Sequence, residues 1–173
     1  MITNIADLFF NLRGRVSTCH QIGIGTPGAI SARTGLMKNS NTLQLNGQNL
    51  LKDLEKKLEV KVHIENDANC FTLAETQLGC AKDQGLVFGV ILGTGVGGGI
   101  TFNGTLWSGP QRIAGEWGHH SISPTDTGCY SGIPGAVETY LAGPALESAY
   151  QKASGDTLHA KAIIELYRAG EKI

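Results

Sequence analysis

Ile2, Ile5, Leu8, Phe9 and Leu12 recur at helical spacing and predict an amphipathic helix that ends near Arg13-Gly14. From His20 to Gly25 the pattern changes, with Ile22 and Ile24 alternating with glycine, and reads as a strand turned by Thr26-Pro27-Gly28. A charged amphipathic helix is predicted over Leu50 to Leu58, followed by an alternating strand over Val60 to Ile64. That strand stops at Glu65-Asn66-Asp67, and a helix over Ala68 to Leu78 follows, with Asn66 or Asp67 placed to cap it. Leu86 to Leu92 reads as a buried-type strand, and Asn103-Gly104, flanked by Gly99 to Phe102 and Thr105 to Trp107, is a strong hairpin signal. Val137 to Ser148 and Ala160 to Ala169 complete the series as helices. Strands alternating with helices, without repeat or linker, predict an α/β architecture.

Composition narrows the function classes. At 173 residues and 41% hydrophobic, the chain suffices for one globular domain or for parts of two. Fourteen basic and fifteen acidic residues leave a net charge of −1, which argues against non-specific binding to nucleic acid or to anionic membrane. No apolar run approaches the roughly 20 residues that span a bilayer, and the start lacks a basic segment leading into an apolar one. A soluble cytoplasmic protein is expected. Cys19, Cys70, Cys80 and Cys129 are scattered without a CxxC pair, as expected of reduced thiols rather than a disulfide framework. Glycine is the anomaly: 24 residues, about twice the usual ~7% share, clustered in separate places.

The densest cluster is Gly93-Thr94-Gly95-Val96-Gly97-Gly98, which formally satisfies GxGxxG. A dinucleotide fingerprint requires a helix to open at its third glycine, whereas a hairpin follows here. A Walker loop requires a lysine, and none lies between Gly85 and Trp107. Two readings stay open: a backbone nest that wraps phosphate oxygens with the help of the Thr94 hydroxyl, or a tight turn and close packing contact. Asp67, where a strand meets a helix, is placed to take a proton from a substrate hydroxyl, although local pattern alone favours a plain N-cap. Gly115-Glu116-Trp117-Gly118-His119-His120 and Glu138 add carboxylates and imidazoles between glycines. Gathered in one cleft, such groups suit a polyhydroxylated ligand, which needs paired donors and acceptors.

Seven stretches together resemble the ROK family of bacterial sugar kinases and related repressors. They are Gly25-Thr26-Pro27-Gly28-Ala29, Lys38-Asn39-Ser40-Asn41, Leu45-Asn46-Gly47, Glu65-Asn66-Asp67-Ala68-Asn69-Cys70, Gly93 to Gly99, Gly115-Glu116-Trp117-Gly118-His119 and Val137 to Gly143. The resemblance implies an actin-like, ribonuclease-H-like α/β fold of two lobes, here partial: residues 1–66 from the N-terminal lobe and 67–173 from the C-terminal lobe. It implies transfer of the γ-phosphoryl group of ATP, with Mg2+, to a hexose hydroxyl, usually that on C6. Carried over by position, Asp67 is the general base, and Gly28, Asn41, Asn66, Glu116, His119 and Glu138 hold the sugar. Gly93, Thr94, Gly95, Gly97, Gly98 and Gly99 hug the ATP phosphates. The Asn39-Ser40-Asn41 and Leu45-Asn46-Gly47 stretches look most like fructokinase and manno(fructo)kinase members, with an N-acetylhexosamine kinase, or a sugar-binding remnant without catalysis, as alternatives. Related enzymes are commonly dimers. The neutral charge and the lack of a helix-turn-helix segment weigh against a repressor.

Two departures from the family pattern set further expectations. The family zinc is held by the histidine of the GEWGH segment and three cysteines of a CxCGxxGC run. This chain reads Cys129-Tyr130-Ser131-Gly132-Ile133-Pro134-Gly135-Ala136, so only His119 and Cys129 remain as ligands. A closed tetrahedral site cannot form from that pair, with His120 a weak substitute, and no zinc is expected. Family members also begin with a strand and a DxGGT phosphate loop and continue into an adenosine-contacting Gly-Gly segment. Neither stretch is in this sequence, so the chain is expected to be truncated at both ends.

Overall fold

The computed structural model describes residues 1–16, 18, 21–126, 128 and 131–171. Helix α1 (Ile2–Arg13) buries Ala6 and Phe9, and the Arg13 guanidinium sits 5.9 Å from the Phe9 ring centroid. Strand β1 (Gln21–Thr26) pairs in parallel with β4 (Lys61–Asn66), in a register running from Gln21↔Lys61 to Thr26↔Asn66. A parallel pair requires a crossover. It runs through an antiparallel pair, β2 (Ala29–Ile30) and β3 (Met37–Lys38), a 3-10 turn at Leu43–Leu45, and helix α2 (Leu50–Leu58). Leu50, Leu54 and Leu58 stack on one face of α2, and the latter two are fully buried. Asn49 caps that helix by accepting from the Lys52 amide at 3.2 Å. The first core gathers Ala6, Phe9, Met37, Leu45, the three α2 leucines and Val62.

Helix α3 (Asp67–Leu78) starts directly where β4 ends and lies across β5 (Leu86–Leu92) and β6 (Val96–Phe102), which pair antiparallel with β7 (Thr105–Leu106) beyond. Its buried face carries threonines rather than large apolar residues. Thr72 and Thr76 donate to the carbonyls of Ala68 and Thr72, and the Thr76 and Thr101 hydroxyls meet at 2.8 Å. Because these side chains are short, the helix comes close to the sheet. A Cβ at Gly89 would lie 2.1 Å, and one at Gly99 2.6 Å, from the Thr72 hydroxyl oxygen.

Several sequence expectations need correction. The Gly93 to Gly99 loop shrinks to a turn at Gly93–Gly95, because Val96 to Gly99 is strand, paired residue for residue with Leu92 to Gly89. The Asn103-Gly104 hairpin forms with both residues at positive φ, 47° and 74°. The buried-type reading of β5 fails: Leu86, Phe88, Val90 and Leu92 alternate onto a face that stays exposed. The single helix expected over Val137 to Ser148 is two, α4 (Glu138–Leu141) and α5 (Gly143–Ser154). Ala142 between them is extended: Pro144 has no N–H to give the Tyr140 carbonyl and its ring would clash there, so one helix cannot run through, and the Gly143 amide instead donates to the Gly93 carbonyl at 2.8 Å. The His20 start of the first strand lies outside the described residues. Helix α6 (Ala160–Arg168) packs on α5, with the Glu147 carboxylate accepting from the Ala160 amide at 2.9 Å. A smaller second core joins Val96, Val137 and Ala142. Among the described residues no helix is long and apolar enough to cross a membrane.

Candidate active site

The junction of β4 and α3 resolves which residue caps the helix. Asn66 does so: its Oδ1 accepts from the amides of Ala68 at 2.9 Å and Asn69 at 3.1 Å, while its Nδ2 donates to the Gly28 carbonyl at 3.1 Å. Asn66 is buried and fastens the Pro27-Gly28 turn to the helix. Asp67, relieved of that duty, is exposed, with one carboxylate oxygen accepting from the Ala68 amide at 2.9 Å. Gly28 has φ +78°, and a Cβ there would lie 2.5 Å from the Lys38 carbonyl oxygen. Only glycine lets the two loops meet. On the far side, Asn46 closes the 40–46 loop by taking the Ser40 amide and donating to the Ser40 carbonyl, each at 2.9 Å. That closure presents Asn41 to the same space.

The Gly115–His119 segment is set by close packing. A Cβ on Gly115 would lie 2.1 Å from the Gly98 carbonyl oxygen, and one on Gly118 2.1 Å from that of Val96. The Trp117 indole N–H donates to the Gly97 carbonyl at 2.9 Å, and its ring meets Phe88 edge-on at 5.9 Å. With Gly115, Trp117 and Gly118 bound to β6, Glu116 and His119 are directed into the cleft. Glu138 enters from α4, its carboxylate accepting from the Val96 amide at 3.2 Å. The same carboxylate fills the space that a Cβ on Gly95 would need.

The cleft so formed has a volume of about 1110 Å³, at the upper end of small-molecule sites, roughly 300–1,000 Å³. It unites Gly28, Asn41, Asn66, Asp67, Glu116, His119 and Glu138 with Gly93, Thr94, Gly95 and Gly97. Gly98 and Gly99 do not reach it. In place of the expected phosphate contacts, they sit within β6 and give room to Gly115, Trp117 and α3. Gly93 differs, since nothing lies within 4 Å of the position its Cβ would take. Lys38, whose Nζ donates to the Gln111 carbonyl at 2.8 Å, also lines the cleft, as do Ile113 and His120. Lys38 belongs to a stretch singled out in the sequence but was given no role there; a lone cation beside several carboxylates is the signal that marks it.

Burial raises the Glu116 carboxyl above its ordinary value; His119 opposes the shift, Asp67 and Glu138 add to it, and Lys38 opposes it. A carboxyl raised in the fold adds stability below its unfolded value and loses it as pH climbs through the raised one. Glu116→Gln is therefore expected to melt above the parent at about pH 8, with the gap closing toward pH 4, near the unfolded carboxylate value. Thermal melts across that range check it, and a variant that melts below the parent at pH 8 refutes it.

The zinc implied by the family pattern does not fit these residues. Ala136, at one of the three cysteine positions, is fully buried and offers only a methyl group. Ser131 offers a neutral hydroxyl, and Cys129 lies outside the described residues. Among the described residues no group of three His, Cys, Asp or Glu is placed to hold a metal ion.

The sequence pattern of the ROK family matches residues 1–173. The N-acetyl-D-glucosamine kinase of Aliivibrio salmonicida (strain LFI1238) is 37% identical over 182 residues, taking in 99% of this chain and 60% of that protein. Among solved structures, a ROK hexokinase from Thermus thermophilus aligns with a TM-score of 0.80 at 29% identity, covering 98% of this chain and 56% of its own. A ROK family glucokinase from Streptomyces griseus, solved in complex with glucose and AMPPNP, gives a TM-score of 0.77 at 25% identity, covering 97% and 60%. The chain thus spans about 60% of the length of the relatives it matches. Over that span its fold is the actin-like, ribonuclease-H-like one of these sugar kinases.

Proposed function

The chain belongs to the ROK family, and from that premise we propose that its cleft binds a hexose and serves ATP-dependent phosphorylation of a sugar hydroxyl, that on C6. The observation that carries this reading is the release of Asp67 from capping by Asn66, which leaves its carboxylate in one cleft with Glu116, His119, Glu138 and the Gly93–Gly95 turn. In the reaction, Asp67 takes the hydroxyl proton as oxygen attacks the γ-phosphorus and the bond to ADP breaks. Glu116, His119 and Glu138 orient the sugar through paired hydrogen bonds, with Asn41 and the Gly28 loop closing over it. The Gly93–Gly95 turn receives phosphate oxygens. A triphosphate entering beside three carboxylates meets repulsion, which a divalent cation such as Mg2+ offsets. The two lobes divide at Asn66 and Asp67, in keeping with one core before that point and another after it.

The curated relative at 37% identity is an N-acetyl-D-glucosamine kinase, which favours an N-acetylated hexosamine over the fructose or mannose suggested by the 39–47 stretches. Calorimetry with N-acetylglucosamine, glucose, mannose and fructose, followed by assay of sugar-dependent ADP release from MgATP, tests both levels. Binding of N-acetylglucosamine in preference to the others is expected. Binding of none of the four, together with no ADP release, would sink the reading.

A further inference from the structure

We propose that this chain holds His119 and Glu138 in place with a metal-free clamp, in which a short hydrogen-bonded ladder and a Tyr140–Asp126 pin replace the zinc that the family pattern implies. The chain folds back on itself between these two residues. Ser121 bridges to Ala136 and Gly128 to Pro134, both antiparallel. The Val137 amide donates to the His120 carbonyl and the Ile122 amide to the Gly135 carbonyl, each at 2.9 Å. Pro134 has no N–H to give a ladder, but its carbonyl accepts the Ser121 hydroxyl at 2.7 Å. The rungs thus begin one residue after His119 and end one residue before Glu138.

On the return side, Gly135 is required by close packing, and Ala136 stands where the family pattern has a cysteine. Gly135 sits at φ +58°, and a Cβ there would lie 1.8 Å from the Ser123 carbonyl oxygen. The fully buried Ala136 gives its carbonyl to the Thr139 hydroxyl at 2.7 Å. From α4, the Tyr140 hydroxyl donates to the Asp126 carboxylate, and the Asp126 amide donates to the Ser123 carbonyl at 3.3 Å. The pin therefore ties the helix that carries Glu138 to the outward arm of the ladder. Tetrahedral zinc needs four donors. Here backbone hydrogen bonds from Ile122 and Val137 tie the two arms together without a metal donor, and on this proposal the segment holds independently of metal.

That the clamp positions a sugar site rests on the kinase reading; the clamp itself does not. The test uses the whole chain, before and after dialysis against EDTA, with zinc measured by atomic emission and amide exchange followed at Ile122 and Val137. Expected are substoichiometric zinc, an unchanged melting temperature, and slow exchange at both amides in EDTA. Tyr140→Phe and Asp126→Ala should speed exchange at these amides about tenfold and weaken N-acetylglucosamine binding about tenfold, whereas Asp126→Asn, which keeps an acceptor for the hydroxyl, should restore both. About one zinc per chain whose removal lowers the melting temperature would overturn the proposal. So would unaltered exchange in Tyr140→Phe and Asp126→Ala. Should the parent bind no sugar, the kinase reading falls, and the clamp is still decided by the metal, melting and exchange measurements.

Discussion

Asp67→Asn is expected to lower sugar-dependent ADP release by about 10²–10⁴-fold, the usual contribution of a general base, while hexose affinity and melting temperature stay near those of the parent. The substitution is nearly isosteric, and an amide oxygen can still accept from the Ala68 amide as the carboxylate does at 2.9 Å. Helix α3 keeps its cap, because Asn66 supplies it. The loss therefore falls on proton transfer alone. Asn66→Ala offers the contrast: it removes the cap and the tie to Gly28 together, so it should cost about 1–2 kcal/mol of stability and weaken sugar binding with it. The comparison requires ADP release, calorimetric sugar affinity and a thermal melt for both variants. An Asp67→Asn protein that turns over as fast as the parent would exclude Asp67 as the base.

What the sequence disclosed was chiefly local. The leucines of α2 and the Asn103-Gly104 turn are read from a few neighbouring residues, because helical spacing and left-handed backbone are properties of short stretches. Asp67, Glu116, His119 and Glu138 were legible as candidate chemistry, and they line one cleft. The glycine run was only half legible. Close packing and phosphate contact both demand a bare backbone, and composition does not separate them. The structure assigns Gly98 and Gly99 to close packing through contacts distant in sequence, with α3 pressing on Gly99 and the Gly115 segment on Gly98, while nothing lies within 4 Å of the Gly93 Cβ position. The break at Ala142 had a local signal in Pro144, but the apolar spacing around it concealed the interruption. Lys38 was hidden for another reason, because its relation to the carboxylates exists only once β3, α3 and α4 line one cleft.

Gly115→Ala is the second large effect, and it acts through backbone rather than side chains. The added methyl would sit 2.1 Å from the Gly98 carbonyl oxygen, 2.6 Å from its carbon and 2.8 Å from the Gly99 Cα. None of those atoms belongs to a rotatable side chain, and Gly98 is itself held between β5 and Trp117, so no partner can swing aside. Overpacking of this kind costs about 3 kcal/mol, which for a chain of this size lowers the melting temperature by roughly 10 °C. Gly23→Ala is the matched control, since nothing lies within 4 Å of its Cβ position, and alanine in a strand interior is no worse than glycine. Sugar affinity should fall in Gly115→Ala even well below its melting temperature. Any shift that admits the methyl moves Glu116 and His119 relative to Asp67 and Glu138, because the contact between β6 and the 115–119 segment places only the first two, whereas Asp67 is set at the start of α3 and Glu138 by the Val96 amide. Melting and affinity equal to those of Gly23→Ala would show that the segment yields freely, and that the glycines of Gly115–His119 do not position the site.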